Sequence, residues 1–175
     1  RRETPNRITG LLPGNEISAV EMISPPDEAT NSSVRWTRKI TLVKGRFAVI
    51  SDRFEAGGEH NYEILMHFPP SEVTPDQTGR SLKIKTDRVT EIFAADPAGE
   101  GRFVAGTGMV SIKGSTVTAP VASLNLRRKG NTESHLLVIP SNGDGAGATV
   151  RSRTRKGVTR VTVTDSSGVK TRISL

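Results

Sequence analysis

The stretch that decides the fold reads Val34-Arg-Trp-Thr-Arg-Lys-Ile-Thr-Leu-Val43, then Lys44-Gly45, then Arg46-Phe-Ala-Val-Ile-Ser-Asp-Arg-Phe54. Both longer runs are rich in β-branched and aromatic residues, which are typical of strands. A two-residue connection that contains Gly is typical of a tight hairpin turn. The stretch therefore predicts an antiparallel hairpin in which Val43 pairs with Arg46.

This pairing predicts which side chains share a face of the hairpin. Asp52 is expected opposite Thr37, where the neighbouring cations Arg35 and Lys39 offset its charge. Arg38 is expected on the other face, between the apolar side chains of Trp36 and Ile40. It must reach solvent or find a partner there, because a buried unpaired guanidinium is very costly.

The rest of the chain repeats short β-branched runs separated by Gly, Pro, Asn and Asp, with almost no helical periodicity. This pattern predicts an all-β fold, an antiparallel β-sandwich of about 11–13 short strands. The predicted strands outside the hairpin are 16–23, 61–68, 81–85, 88–94, 108–113, 115–119, 122–128, 134–139 and three at the C-terminus. At 175 residues and 18.8 kDa, we expect a single domain spanning residues 1–175.

The composition argues against several classes of function. The chain has no Cys, so it cannot perform thiol catalysis, bind zinc through Cys or form disulfide bonds. It has no apolar run of about 18 residues, so no membrane-spanning helix is expected. Nucleotide, phosphate-loop and calcium-loop motifs are lacking, and the three His are not spaced to share a metal ion; we therefore predict no cofactor and no metal.

His60 and Tyr62 are the candidates for proton transfer, because on an extended strand they project to one side and His67 to the other. A Tyr–His couple can in principle exchange protons with a sugar. The favoured interpretation is that Tyr62 packs on the sandwich. No catalytic residue is therefore predicted.

The last 28 residues are strongly basic, with seven of the 25 Lys and Arg and one acidic residue, Asp165. The residues along Thr149–Arg155 and Val158–Val163 alternate as they do on a strand whose two faces meet different surroundings. A turn at Lys156-Gly157 would pair 155 with 158, 153 with 160 and 151 with 162. A third strand follows Gly168. The predicted basic surface, our candidate for polyanion contacts, comprises Arg151, Arg153, Arg155, Arg160, Lys170 and Arg172.

Two interpretations of this basic surface remain open. Like charges that face each other weaken a sheet, so the surface suits a polyanion or an acidic neighbouring domain. Alternatively, the charges keep a solvated sheet face from pairing with other strands. Nucleic acid is the least favoured partner, because aromatic residues make up 4% of the chain and no nucleic-acid motif is present.

The central part of the sequence resembles the C-terminal β-sandwich of heparinase II/III-like polysaccharide lyases, a group that includes related alginate lyases. The resemblance is clearest over Val34–Pro70, in Trp36-Thr-Arg38, Leu42 to Arg53, Glu59-His-Asn-Tyr-Glu63 and Leu65-Met-His-Phe-Pro69. His135-Leu-Leu-Val-Ile-Pro140 and the basic hairpin that follows also look like the C-terminus of that family.

The resemblance implies a secreted or periplasmic enzyme in which an N-terminal α-helical toroid joins the sandwich and cleaves uronic-acid polysaccharides by β-elimination. It implies that the toroid supplies most catalytic groups and that an early sandwich segment, His-x-His-x-Asp, supplies another His. This chain has no His-x-His-x-Asp and begins without Met or a signal peptide. We therefore expect a non-catalytic fragment whose partner is the toroid of the parent chain.

The alternative is a free-standing carbohydrate-binding or cell-surface interaction module. Such a module would bind acidic glycans or another protein with no lyase domain in the same chain. The sequence leaves both interpretations open.

Overall fold

A computed structural model describes residues 7–15, 17–24, 34–43, 45–95, 101–141, 148–156, 158–165 and 167–175. These residues form fourteen β-strands and no helix, which confirms the predicted all-β fold. The strands are β1 (Arg7–Leu12), β2 (Ile17–Ser24), β3 (Arg35–Val43), β4 (Phe47–Glu55), β5 (Glu59–His67), β6 (Glu72–Pro75), β7 (Ser81–Lys85), β8 (Val89–Ala94), β9 (Arg102–Ile112), β10 (Ser115–Lys129), β11 (Thr132–Ser141), β12 (Thr149–Arg155), β13 (Val158–Thr164) and β14 (Lys170–Ser174).

The strands form three antiparallel sheets. The central sheet has eight strands in the order β1-β2-β3-β4-β11-β8-β7-β6. A second sheet has the order β5-β10-β9, and the C-terminal sheet has the order β12-β13-β14.

The central sheet is the middle of three layers, because each of its faces contributes to a separate core. One core packs its side chains against those of β5, β9 and β10, and the other packs against β13. Strand β11 shows the alternation directly: Leu136 lies in the first core and Leu137 in the second, both at most 1% exposed. A fully buried Leu contributes about 1.5–3 kcal/mol, so this strand anchors both layers.

The β3–β4 hairpin forms, but its register differs by one residue from the prediction. Val43 pairs with Phe47, so the loop has three residues, and Gly45 within it has a φ of 71°. Three-residue hairpin loops use such a left-handed residue, which Gly adopts without strain. The shift moves Asp52 from its predicted position opposite Thr37 to a position opposite Arg38.

The predicted C-terminal hairpin has the pairing expected from its two-residue turn. Arg155 pairs with Val158, Arg153 with Arg160 and Arg151 with Thr162. The third strand, β14, then pairs with β13 on its other side.

Other boundaries differ from prediction where a strand is short or contains Pro. The predicted strands 115–119 and 122–128 are one strand, β10, which continues through Pro120. Pro120 is tolerated because β5 begins to pair with β10 at Val121, so its missing N–H faces no partner strand. Strands β1 and β6 were not predicted; both are short edge strands of the central sheet.

Candidate functional site

The C-terminal sheet places the six predicted basic residues on one of its faces. Residues that are directly opposite in an antiparallel pair share a face, and the pairs here include Arg153 with Arg160 and Thr162 with Arg172. All six side chains are exposed. We call this surface the basic face; it comprises Arg151, Arg153, Arg155, Arg160, Lys170 and Arg172.

The opposite side of the same sheet explains this orientation. Val161 and Val163 are 0% and 4% exposed, and they pack in the second core with Leu137 and Val49 of the central sheet. Ile173 packs against this core from β14. Because successive strand residues alternate between faces, burying these apolar side chains turns the basic ones toward solvent.

No acid in the described part of the chain forms an ion pair with the basic face. Within the described ranges, none of its six cations has a carboxylate oxygen within 4.0 Å. Cations elsewhere do pair, as Arg35 does with Glu55 and Arg127 with Glu59. The cations of the basic face are therefore exposed and form no ion pair with a described acid.

Asp165, the acid of this basic stretch, is held by the turn before β14. The Oγ of Ser167 donates to its Oδ1 at 2.6 Å, and the backbone N–H groups of Ser167 and Val169 donate at 3.0 Å. The Ser167 hydroxyl, with these N–H groups and the charge of Arg46, lowers the pKa of Asp165. Its carboxylate therefore stabilises the turn.

The basic face contains two shallow hollows. The larger, of about 660 Å³, is lined by Arg151, Arg153, Arg160 and Arg172 among others. The smaller, of about 320 Å³, is lined by Arg153, Arg155 and Arg160 together with the hairpin turn. Arginines are suited to such surfaces because the guanidinium binds carboxylate or sulfate through two parallel hydrogen bonds.

In the predicted Tyr–His couple, Tyr62 is buried and His60 is half-buried. His60 and Tyr62 lie on one side of β5, with ring centroids 5.8 Å apart, and His67 is exposed on the other side. Tyr62 is 7% exposed and stacks on Phe54 at 4.3 Å. Burial raises the pKa of Tyr62, which keeps its hydroxyl protonated. This environment favours packing over proton transfer.

Two polar groups escaped prediction because they depend on pairing across strands. His135 is 3% exposed, and its Nδ1 lies 3.0 Å from the Oγ of Ser51. Asp52 is 1% exposed and accepts hydrogen bonds from Arg38 Nε at 2.7 Å, Arg38 Nη2 at 3.0 Å and Trp36 Nε1 at 2.8 Å. The Gly45 loop was the signal that would have placed Arg38 opposite Asp52.

Among the described residues, no three His, Asp or Glu side chains come together as a metal-binding group. The same residues contain no helix that is long and apolar enough to cross a membrane.

No family model and no curated protein sequence matches this chain. Solved structures do match. The heparan sulfate lyase HepC from Pedobacter heparinus superposes with a TM-score of 0.81 at 15% identity, covering 98% of this chain and 28% of that chain. The heparinase III described as the BT4657 gene product gives a TM-score of 0.77 at 12% identity, with the same two coverages.

A further heparinase III structure gives a TM-score of 0.74 at 12% identity and covers 97% of this chain. This chain spans a little over a quarter of the length of these proteins. The resemblance to heparinase II/III-like lyases is thus confirmed as a shared fold: this chain has the fold of one part of a heparinase III.

Proposed function

We propose that this chain is the non-catalytic C-terminal β-sandwich domain, spanning residues 1–175, of a heparinase II/III-like polysaccharide lyase. In this proposal the domain supports an α-helical toroid of the parent chain and contacts acidic, uronate-containing polysaccharide through the basic face. The parent acts in the periplasm or outside the cell. The observation that carries the proposal is the fold match, which covers nearly all of this chain and about a quarter of each lyase.

The environments of the histidines support a non-catalytic role. His60 packs beside Tyr62, His67 lies on the outer side of β5, and His135 lies on the opposite face of the central sheet from Tyr62. The described residues therefore do not bring two histidines, or a histidine and a solvent-exposed tyrosine, to one place. β-Elimination needs a base for the C5 proton and an acid for the leaving oxygen, and the proposal assigns both to the toroid.

The basic face supports the contact with polysaccharide. Arg153 lies directly opposite Arg160, so the folded sheet holds two like charges together, and no acid among the described residues pairs with either. A bound polyanion would relieve this repulsion and would release counterions as it binds. Uronate carboxylates and sulfates both fit guanidinium groups.

The first experiment replaces Arg151, Arg153, Arg155 and Arg160 by Ser and measures affinity for heparan sulfate and alginate at several salt concentrations. We expect the affinity to fall at least about tenfold and its salt dependence to become shallower, because four cationic contacts are lost. The matched control replaces four exposed cations elsewhere, Lys83, Lys85, Arg88 and Lys129, by Ser and should bind nearly as the original chain does. Equal affinities for all three proteins would refute the role of the basic face.

The second experiment tests the absence of catalysis. The isolated chain is incubated with heparan sulfate or alginate, and the ultraviolet absorbance of unsaturated uronate products is followed over time. We expect no increase, and depolymerisation by this chain alone would contradict the non-catalytic role. A gene that encodes no toroid upstream of Arg1 would instead support the free-standing glycan-binding or cell-surface module.

A further inference from the structure

A groove of about 660 Å³ lies beside the C-terminal sheet, on the same face of the central sheet. Its floor is formed by side chains of β2, β3, β4 and β11, and the end of the chain from Arg172 to Leu175 forms one wall. We call it the β14 groove.

The floor of the β14 groove is polar, although the adjoining part of the same sheet face is apolar. Strand pairing sets Glu21, Lys39, Ser51 and His135 in one row across four strands. The next row toward the C-terminal sheet contains Val49 and Leu137, which are both 0% exposed. The side chains on this face therefore change from apolar to polar between one row and the next, at the point where the C-terminal sheet no longer covers the central sheet.

The row beyond contains Arg53 opposite Glu133, and these two side chains form a long ion pair at 4.0 Å. Arg53 also pairs with Glu55 at 3.1 Å. His135 anchors the floor, because it is 97% buried and its two ring nitrogens lie 3.0 Å from Ser51 Oγ and 4.0 Å from a Glu133 oxygen. The Nδ1 contact has hydrogen-bond length, so it holds the ring against β4 as a fixed polar part of the floor.

The β14 groove adjoins the basic face across a single strand. Arg172 lines both the groove and the larger hollow of the basic face, and Ser174 does the same. The groove and the larger hollow therefore meet at β14, the edge strand of the C-terminal sheet. A chain that lies on the basic face can therefore continue into the groove.

The charges in the groove fit a sugar acid better than a simple polyanion. Lys39 and Arg172 can bind a carboxylate, whereas Arg53 is already paired with Glu55 and Glu133. The carboxylates of Glu21, Glu55 and Glu133 can accept hydrogen bonds from sugar hydroxyls, and they would repel any anionic group beyond the one that the cations bind. A uronic acid presents one carboxylate and several hydroxyls, which matches this mixture.

We propose that the β14 groove is a subsite for one uronic acid residue of a polysaccharide whose neighbouring residues lie on the basic face. This inference rests on the proposed function and adds a second, sugar-specific contact to it. The basic face supplies attraction that depends on charge, and the groove selects the uronate.

The experiment titrates an alginate trisaccharide into the chain by calorimetry, with maltotriose as the neutral counterpart. Two variants alter the groove: Lys39→Gln removes a cation, and Thr37→Trp fills the floor. We expect Lys39→Gln to weaken trisaccharide binding about tenfold and Thr37→Trp to weaken it further, because one ionic contact and the space itself are lost. The control Lys83→Gln, on β7 of the same sheet, should bind as the original chain does, and maltotriose should bind to none.

Thermal unfolding of each variant confirms that it is folded, and Lys39→Gln keeps the test valid if Thr37→Trp does not fold. Unchanged trisaccharide binding in Lys39→Gln and in a folded Thr37→Trp would overturn the subsite. If the variant in which Ser replaces Arg151, Arg153, Arg155 and Arg160 still has a lower affinity for polysaccharide in that case, the proposed role of the basic face stands. If the original chain binds neither trisaccharide nor polysaccharide, both proposals fail.

Discussion

Two groups of charged residues in this molecule lie in opposite environments. In the central sheet, Asp52 has a side chain that is 0% exposed, and Arg38 and Trp36 supply three hydrogen bonds to it. On the C-terminal sheet, Arg153 and Arg160 are exposed and lie opposite each other, with no acid of the described residues in contact.

The difference shows which charges serve the fold. A buried carboxylate needs its partner, since a charge left alone in the interior is very costly. An exposed arginine needs no partner within the protein, because water solvates its charge. Charges without partners inside the protein are therefore the ones to examine for binding.

Breaking the internal pair should have the largest effect on stability. Asp52→Ala leaves the Arg38 guanidinium and Trp36 Nε1 without their acceptor, and we expect the free energy of unfolding to fall by about 3–5 kcal/mol. The measurement is chemical denaturation in urea. Glu55→Ala is the control, because Glu55 pairs with Arg35 and Arg53 at the surface, and a surface pair contributes less than about 1 kcal/mol. Similar losses for the two variants would contradict this comparison.

Asp76 is intermediate between these two groups, because its carboxylate is exposed but accepts several hydrogen bonds. Asp76 Oδ1 accepts hydrogen bonds from the N–H groups of Arg80 at 2.7 Å and Ser81 at 2.9 Å, and Thr78 Oγ1 donates to Oδ2 at 2.7 Å. Burial alone would raise the pKa of Asp76, but these hydrogen bonds lower it overall. We expect Asp76→Ala to cost about 1 kcal/mol at neutral pH.

The sign of the pH dependence follows from the lowered pKa of Asp76. The stabilisation is present above the unfolded-state pKa of about 3.9 and is lost as pH falls through the lower folded-state value. The original chain and Asp76→Ala should therefore converge in stability in acid, as measured by thermal unfolding across pH. Asp87→Ala is the control, because the Asp87 carboxylate accepts one hydrogen bond, from Thr86 at 2.9 Å. A constant difference between the original chain and Asp76→Ala would contradict the assignment.

The smallest expected effect lies on the basic face. Arg153→Glu replaces a like-charged pair by an opposite-charged one across from Arg160, and we expect a gain of about 0.5 kcal/mol at low salt. The gain should disappear at high ionic strength, because exposed charges are screened. Arg155→Glu makes the same change in net charge opposite Val158, and it should gain less. Equal gains would show that net charge, not the facing pair, sets the stability.

Sequence patterns predicted the C-terminal hairpin well but misplaced the central one by a residue. The two-residue turn predicts that Arg153 pairs with Arg160, and these residues are paired in the structure. The same assumption failed at Gly45, where a left-handed residue in a three-residue loop shifts the register. Shifting the register by one residue exchanges the faces, so assuming a two-residue turn at Lys44-Gly45 hid the Arg38–Asp52 pair.

The third layer and the β14 groove also escaped prediction, for a different reason. Strand periodicity shows that β11 is buried on both faces, but it does not show which sheets bury it. The row from Glu21 to His135 joins residues from four strands that are far apart in sequence. Patterns within a strand determine local pairing, whereas this site depends on the order of strands in the sheet.

The position of β11 has a consequence for how the chain folds. This strand joins β4 to β8, and its contact between His135 and Ser51 closes a loop of 84 residues. Closing so long a loop costs entropy before any contact compensates, so we expect slow folding and a transition state in which β11 docks late. Until it docks, Leu136 to Ile139 form an apolar segment with high β-propensity that can pair with other chains. Aggregation during refolding should therefore increase with protein concentration.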